Sequence, residues 1–268
     1  MPSLAFTIIQ TNLHWENIKA NLEMLEEKIC SIKEKNTIVI LPEMFTTGFS
    51  MKPQLFAETP EGETVQWMKR MASAQKIIIT GSIMIEEDKK YYNRLIWMQP
   101  DGNYSYYDKR HLFAYGDEDK HYTPGNKKLI TSVNGFKINL QVCYDLRFPV
   151  WSRQSPPSAE DNETNLFDVL IYTANWPEKR IHHWKALLTA RAIENQCCVI
   201  GVNRVGNDGN NIYYTGDSMV INAMGEILYH KKDEEDIFTI TLNKNHVTET
   251  RSRFPFWKDA DDFLISEK

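Results

Sequence analysis

The sequence lacks any apolar run long enough to cross a membrane, and it has no cluster of basic residues. The N-terminal stretch MPSLAFTIIQTN has no basic leader and turns polar after a short apolar run. The net charge is only -5, and lysines and arginines are interleaved with acids, so no basic face is available for nucleic acid or anionic lipid. We therefore expect a cytoplasmic protein with neither a membrane partner nor a nucleic-acid partner.

Cysteine is also scarce in this chain. Four cysteines among 268 residues are too few and too scattered for a disulfide framework. Cys197 and Cys198 are adjacent in ENQCCVIGVN, at the start of a predicted buried strand, and Cys30 lies in a charged helical stretch. We interpret these three as small apolar residues that fill space. Cys143, in QVCYDLRFP, is the cysteine that calls for another explanation.

No histidine pair has the spacing of a zinc helix. His182 and His183 are neighbours, and neighbouring side chains on a helix point about 100° apart, whereas a zinc helix carries its histidines four residues apart. We interpret His111, His182 and His183 as solvated or packed side chains. The sequence therefore predicts no metal and no cofactor.

Apolar runs rich in β-branched residues alternate with helical stretches along the chain. LAFTIIQ, TIVILPE, KIIITGSIMI, DVLIYTANW and CVIGVN are typical of strands, and QPDGNY is typical of a hairpin turn. Together with 42% hydrophobic residues, this order indicates an α/β layered protein in which helices cover sheets. We find no linker, so we predict one domain over residues 1–268, interrupted only by an exposed acidic loop at 155–165. Two stripes of apolar residues at helical spacing support the helices: Ile18, Leu22, Leu25, Ile29 and Ile32, and then Ile181, Trp184, Leu188 and Ala192.

Three reactive side chains stand where predicted strands end. Glu43 follows the apolar run TIVIL, Lys109 follows the second strand of the predicted hairpin, and Cys143 follows GFKINLQV on the polar side of the alternation. Ligands of open α/β sheets gather at the carboxyl ends of strands, so we expect these side chains to converge. In the alternative, Cys143 is a packing residue and Glu43 and Lys109 form an ordinary ion pair.

If these three groups converge, they can carry out nucleophilic catalysis together. A free thiol is mostly protonated at neutral pH, and a carboxylate in a dry site can remove its proton as a general base. The ammonium of Lys109 can then stabilise an oxyanion, assisted by the backbone N–H of Tyr144. The pattern predicts Glu43 as the base and Cys143 as the nucleophile.

LPEMFTTGF, YDKRHLF and VCYDLRFP, in this order, resemble the Glu, Lys and Cys motifs of the nitrilase superfamily of carbon-nitrogen hydrolases. TANWP, RAIENQ, GVNRVG and GDSMVINAMGEI also resemble its second half, so the similarity covers nearly the whole chain. MFTTGF and RFPFWKDADDF are similar to the omega-amidase branch. That resemblance implies hydrolysis of the terminal amide of small dicarboxylate monoamides, namely 2-oxoglutaramate, 2-oxosuccinamate and succinamate, through a cysteine thioester.

The resemblance has further implications for the structure. It implies a four-layer α-β-β-α sandwich, a C-terminal arm at about 244–268 and assembly into a homodimer or a higher homo-oligomer. It also implies a second catalytic glutamate, for which Glu118 in GDEDKHYTPG has the expected spacing from Pro124. The segment 155–165 is longer and more acidic than the family leads us to expect, and it lies where it can alter a pocket rim or a subunit contact.

The sequence leaves two roles open for each of two residues, and it leaves two alternative functions open for the protein. Arg147 either binds a substrate carboxylate or pairs with Asp145, and Trp176 is either a core anchor or a wall of the substrate pocket. The alternative functions are another carbon-nitrogen hydrolase, such as an N-carbamoyl amidohydrolase or a nitrile hydrolyser, and a non-catalytic binding protein that keeps the sandwich.

Overall fold

The computed structural model describes residues 2–35, 37–154, 166–261 and 263–265. The acidic loop predicted at 155–165 lies outside these described residues. The described strands are β1 (Ser3–Gln10), β2 (Ile38–Ile40), β3 (Ile78–Glu87), β4 (Lys90–Met98), β5 (Tyr104–Asp108), β6 (Leu129–Val133), β7 (Phe136–Val142), β8 (Val169–Ala174), β9 (Cys198–Asn203), β10 (Val205–Asn207), β11 (Tyr213–Ile221), β12 (Ile227–Lys232) and β13 (Asp236–Asn243). The described α-helices are α1 (Ile18–Cys30), α2 (Pro53–Phe56), α3 (Glu63–Gln75), α4 (Glu118–His121), α5 (Pro149–Ser152), α6 (Ile181–Asn195) and α7 (Lys244–Arg253).

The strands form two sheets. The first has the order β13-β1-β2-β3-β4-β5, and the second has the order β10-β11-β9-β8-β7-β6, with β12 paired to β11. In each sheet the central strands are parallel: β1, β2 and β3 in the first, and β7, β8 and β9 in the second. Because parallel strands end at the same edge, the residues that follow β2, β7 and β8 start from equivalent positions.

The two sheets pack face to face, and helices cover their outer faces. On β1 the period of two is regular: Leu4, Phe6 and Ile8 belong to the apolar core shared with β7, whereas Ile9 belongs to the core under α1 and α3. Trp184 of α6 packs into the core of the second sheet. The layers are therefore α, β, β and α, which confirms the predicted four-layer sandwich of the nitrilase type.

Several elements differ from the sequence-based predictions. β6, β10, β12 and β13 were not predicted, because their side chains are largely exposed or only half-buried and carry no continuous apolar run. The interpretation of Cys30 as buried filler is wrong, because it is the last residue of α1 and is exposed, whereas Cys197 and Cys198 are buried as predicted.

The predicted C-terminal arm begins with α7, which packs on the second sheet. Val247 is buried, and Arg251 donates hydrogen bonds to the backbone oxygens of Gln196 and Phe167. Among the helices of the described chain, none is long and apolar enough to cross a membrane.

Candidate active site

Glu43 follows β2, a strand that is buried on both faces, and its carboxylate is completely enclosed. Its Oε1 accepts hydrogen bonds from Lys109 Nζ and from Asn93 Nδ2, each at 2.9 Å. Its Oε2 accepts a hydrogen bond from the backbone N–H of Asn175 at 2.8 Å. Three donors directed at one carboxylate fix its position, as the role of a general base requires.

Lys109 follows β5 and is as deeply buried as Glu43. Its Nζ lies 2.8 Å from Glu118 Oε2 and 2.9 Å from Glu43 Oε1. Burial by itself lowers the pKa of Lys109, but the charges of Glu118 and Glu43 outweigh burial, and the pKa rises above its ordinary value. The amine is therefore a permanent ammonium that faces two carboxylates.

Glu118 is the first residue of α4 and is completely buried. Besides Lys109 it accepts a hydrogen bond from the backbone N–H of Phe113 at 2.6 Å. Burial raises the pKa of Glu118, the charge of Lys109 opposes that rise, and the charge of Glu43 adds to it. Two carboxylates around one ammonium give this buried group a surplus of negative charge.

Asn93 of β4 joins the two carboxylates, and the sequence analysis missed it. Its Nδ2 donates to Glu43 Oε1 at 2.9 Å and to Glu118 Oε1 at 3.0 Å. The backbone N–H of Lys109 donates to the Asn93 carbonyl at 3.0 Å, so the β4–β5 hairpin places amide and ammonium side by side. An asparagine that interrupts a strand otherwise ending in an apolar run, YYNRLIWM, is the signal that could have indicated a buried polar contact. We call Glu43, Asn93, Lys109 and Glu118 the charged cluster.

Cys143 is not the last residue of β7 but the first residue of the 3₁₀ turn Cys143–Arg147. Its backbone φ is +42°, in the left-handed region that a residue with a Cβ rarely adopts. The turn is held by Asp145, whose Oδ2 accepts the backbone N–H of Val142 at 3.0 Å. The turn directs the Cys143 side chain towards a cavity while leaving it only 9% exposed.

The Cys143 thiol is neutral in this environment. Burial raises its pKa well above the ordinary value, the charge of Glu43 raises it further, and Lys109 only partly opposes these effects. The thiol therefore needs a base during the reaction, and Glu43 is the carboxylate whose charge acts on its pKa.

Asn175 connects the base to the nucleophile, and the sequence analysis missed this residue too. It follows β8 and uses its backbone N–H for Glu43 Oε2, while its Nδ2 donates to the Glu43 carbonyl at 2.6 Å. Its own carbonyl lies 3.9 Å from the Cys143 sulfur. The motif TANWP marked this segment but not the role of Asn175, because the contact with Glu43 depends on how the two sheets pack.

Arg147 does not pair with Asp145, so that alternative is wrong. The Asp145 carboxylate is occupied by Tyr107 Oη at 2.7 Å, by His111 Nδ1 at 2.8 Å and by two backbone N–H groups. The Arg147 guanidinium instead lies 4.8 Å from the centre of the Trp176 ring, and its Nη2 donates to His183 Nδ1 at 3.1 Å.

Trp176 is both a core anchor and a wall of the pocket, the two roles between which the sequence left a choice. It is 3% exposed and packs on Trp184 with ring centres 5.4 Å apart, as a core residue does. It also lines the cavity that contains Cys143, as a pocket wall does. That cavity has a volume of about 560 Å³, and its walls include Phe49, Lys109, Phe113, Tyr144, Arg147 and Trp176.

The predicted site residues therefore meet in one place. Glu43, Lys109 and Glu118 form the charged cluster, and Lys109, Cys143, Tyr144, Arg147 and Trp176 line one cavity. Within the described ranges, no three His, Cys, Asp or Glu side chains are placed to hold a metal ion.

Comparison with known proteins shows which family this chain belongs to. The model of the family "Carbon-nitrogen hydrolase" matches residues 6–252. The chain is 42% identical to "Omega-amidase YafV" of Escherichia coli (strain K12) over 99% of this chain and 100% of that protein. It is 30% identical to "2-oxoglutaramate amidase" of Bacillus subtilis over 94% of this chain and 95% of that protein.

The fold is also similar to that of a solved structure from the same superfamily. The chain is similar, with a TM-score of 0.95 and 39% identity, to XC1258 from Xanthomonas campestris, described as a CN-hydrolase superfamily protein with an arsenic adduct in the active site. The similarity covers 99% of this chain and 100% of that chain.

Proposed function

Because the chain belongs to the carbon-nitrogen hydrolase family and to its omega-amidase-like branch, we propose that it hydrolyses the terminal amide of short dicarboxylate monoamides. The proposed substrates are 2-oxoglutaramate, 2-oxosuccinamate and succinamate, and the products are the dicarboxylic acid and ammonia. The proposal starts from the finding that the protein is a hydrolase of carbon-nitrogen bonds with amidases among its relatives. The narrower proposal is carried by one observation: the cavity holds the Cys143 thiol together with the guanidinium of Arg147.

The first half of the proposed reaction forms a thioester. Glu43 removes the thiol proton as the Cys143 sulfur attacks the amide carbon, and the carbonyl oxygen becomes an oxyanion. Lys109 Nζ lies within hydrogen-bond distance of Glu43 Oε1 and of both Glu118 oxygens, and in the proposed reaction it turns one N–H from Glu118 to that oxyanion, which the backbone N–H of Tyr144 also stabilises. The proton on Glu43 then passes to the amide nitrogen, the carbon-nitrogen bond breaks and ammonia leaves.

The second half of the proposed reaction regenerates the thiol. Glu43 removes a proton from water, the resulting hydroxide attacks the thioester carbon, and the carbon-sulfur bond breaks. The proton returns to the sulfur, which becomes the neutral thiol favoured by its raised pKa. Glu118 positions Lys109 and, through Asn93, the base Glu43, in both halves.

Arg147 is proposed to bind the substrate carboxylate. Replacing it in Arg147→Met is expected to lower kcat/KM for succinamate and 2-oxoglutaramate by about 10 to 100-fold, the effect of losing a charge-assisted hydrogen bond that orients the amide. Uncharged amides such as propionamide should be poor substrates of the wild type and should change little in the variant. Steady-state ammonia release measures both.

A matched control for Arg147 is Arg110. Its guanidinium also lies over a tryptophan, 4.4 Å from the centre of Trp151, but it does not line the cavity of Cys143. Arg110→Met should keep the wild-type preference for charged amides. Equal losses on charged and uncharged substrates in Arg147→Met, with a lowered melting temperature, would show that Arg147 is only structural.

The proposed function is tested by ammonia release from a panel of amides. The panel contains 2-oxoglutaramate, 2-oxosuccinamate, succinamate, glutamine, asparagine, N-carbamoyl amino acids and a small nitrile, each with wild type and Cys143→Ala. We expect the 2-oxo monoamides to have the highest kcat/KM. A higher value for an N-carbamoyl amino acid or the nitrile would replace the proposal, and no turnover of any member would favour a binding protein.

Three earlier expectations stay predictions beside this proposal. They are a single domain over residues 1–268, assembly into a homodimer or a higher homo-oligomer, and a cytoplasmic location.

A further inference from the structure

A second guanidinium lies in the same cavity as Arg147. Arg180 is the last residue of the 3₁₀ turn Glu178–Arg180, which leads into α6, and it lines the cavity of Cys143. Its guanidinium lies 5.2 Å from the centre of the Phe113 ring. In the part of the chain that the structure describes, neither Arg180 nor Arg147 forms an ion pair with an acid. The cavity therefore contains two cations whose charge no acidic side chain neutralises.

One tryptophan holds both arginines in place. The Arg147 guanidinium lies over the Trp176 ring, and the Trp176 indole N–H donates to the Arg180 carbonyl at 2.8 Å. Trp176 is itself buried against Trp184 of α6. Trp176 thus holds the guanidinium of Arg147 and the backbone of Arg180, and the Phe113 ring is the contact of the Arg180 guanidinium, so both cations have partners before a ligand arrives.

The acids in the same cavity do not neutralise this pair. Asp208 accepts hydrogen bonds from Tyr214 Oη at 3.0 Å and from the backbone N–H groups of Asn210 and Ile212. Its carboxylate is thus occupied by its own loop. Glu178 is exposed at the rim.

The two arginines line the same cavity. Burial lowers the pKa of Arg147, Tyr144 opposes that effect, and the positive charge of Arg180 adds to it. Two like charges in a half-buried site repel each other, and an anion placed between them relieves that repulsion. A site built in this way favours a ligand that carries concentrated negative charge.

We propose that Arg180 is a specificity-determining residue that forms, with Arg147, a two-guanidinium clamp for the 2-oxo carboxylate end of the substrate. This proposal rests on the proposed function. A 2-oxo acid presents its carboxylate and its carbonyl oxygen side by side, which offers acceptors to two planar guanidinium forks. An amino acid presents an ammonium in place of the carbonyl, and the clamp repels it. The clamp therefore selects 2-oxoglutaramate over glutamine.

The test compares 2-oxoglutaramate, glutamine and butyramide in the wild type, Arg180→Met and Arg180→Lys. In Arg180→Met we expect kcat/KM for 2-oxoglutaramate to fall about 10 to 100-fold, mainly through KM, and kcat/KM for uncharged butyramide to stay nearly constant. The preference for 2-oxoglutaramate over glutamine should fall at least about 10-fold. Arg180→Lys should recover part of the loss, because lysine keeps the charge but not the planar fork.

The matched control is the neighbouring cation Lys179, which is exposed at the rim and has no aromatic partner within the described residues. Lys179→Met should change the preference for 2-oxoglutaramate less than about threefold, because an exposed charge is screened by solvent. If Lys179→Met and Arg180→Met had equal effects, a general positive potential would explain the preference and the clamp would be wrong. Equal losses on butyramide and 2-oxoglutaramate in Arg180→Met would also overturn it, in favour of a packing role on Phe113.

Binding without turnover separates the clamp from the proposed function. Calorimetry should show 2-oxoglutarate bound at least about 10-fold more weakly by Cys143→Ala/Arg180→Met than by Cys143→Ala. If that difference is found but the wild type does not hydrolyse 2-oxoglutaramate, the clamp stands and the proposed function fails. If hydrolysis is found but the calorimetric affinity is unchanged, the function stands and the clamp fails.

Discussion

Cys143→Ala is expected to lower kcat for 2-oxoglutaramate by at least about 10⁴-fold, because no other group near the charged cluster can form the thioester. The fold should be unaffected. Alanine has a Cβ as cysteine does, so it meets the same φ of +42° and adds no backbone strain. The measurement is single-turnover ammonia release, with the melting temperature as a check on folding.

The control for Cys143 is another cysteine of the same chain. Cys30 is exposed at the end of α1 and does not line the cavity, and Cys30→Ala should retain full activity. Mass spectrometry of the wild type quenched during turnover should find an acyl group on the Cys143 peptide. Retention of more than about a hundredth of the wild-type rate in Cys143→Ala would rule out the covalent mechanism.

Lys109→Met should remove both activity and much of the stability. Lys109 is the counter-charge of two completely buried carboxylates, Glu43 and Glu118. Breaking a buried ion pair by removing one partner typically costs about 3 to 5 kcal/mol, because the remaining charge is left without compensation. Urea unfolding measures the change, and ammonia release should fall below detection, since the oxyanion has lost its ammonium.

The loss of stability in Lys109→Met should depend on pH with a definite sign. Burial and the charge of Glu43 raise the pKa of Glu118 in the folded state above its ordinary value, and without the ammonium nothing of opposite charge opposes that rise. A folded state that binds more protons than the unfolded state loses stability as pH rises. The deficit relative to the wild type should therefore be smallest near pH 5 and should grow towards pH 8.

Two further variants test whether the loss of stability in Lys109→Met comes from the buried charges that it leaves unpaired. Lys109→Met/Glu118→Gln removes one of the stranded charges and should regain part of the free energy of unfolding without regaining activity. Lys120→Met breaks the exposed pair with Asp117 and should leave the melting temperature almost unchanged. A Lys109→Met protein as stable as the wild type at pH 8 would contradict the charge assignment of the cluster.

The three reactive residues could be located from the sequence because each is marked by the strand pattern of the segment just before it. Glu43, Lys109 and Cys143 each follow a segment with a clear strand pattern. The strands before Glu43 and Lys109 belong to the first sheet and the strand before Cys143 to the second, so the packing of the two sheets brings the three side chains together. The side chains that support them were not found in this way. Asn93 and Asn175 contact Glu43 only through the register of β4 and the position of β8.

By itself the sequence determined the layered α/β class, the strand ends that carry Glu43, Lys109 and Cys143, and the spacing that marks Glu118. The class and the strand ends follow from the periodicity of side chains along the chain, whereas Glu118 was identified only through the resemblance to a known family. The tertiary structure alone decided that Asp145 is occupied by Tyr107 and His111, and that Arg147 lies over Trp176. It alone brought Arg180 into the same cavity. A hydrogen bond or a stacking contact between residues distant in sequence depends on distances of a few ångströms across packed layers, and no pattern within one segment encodes those distances.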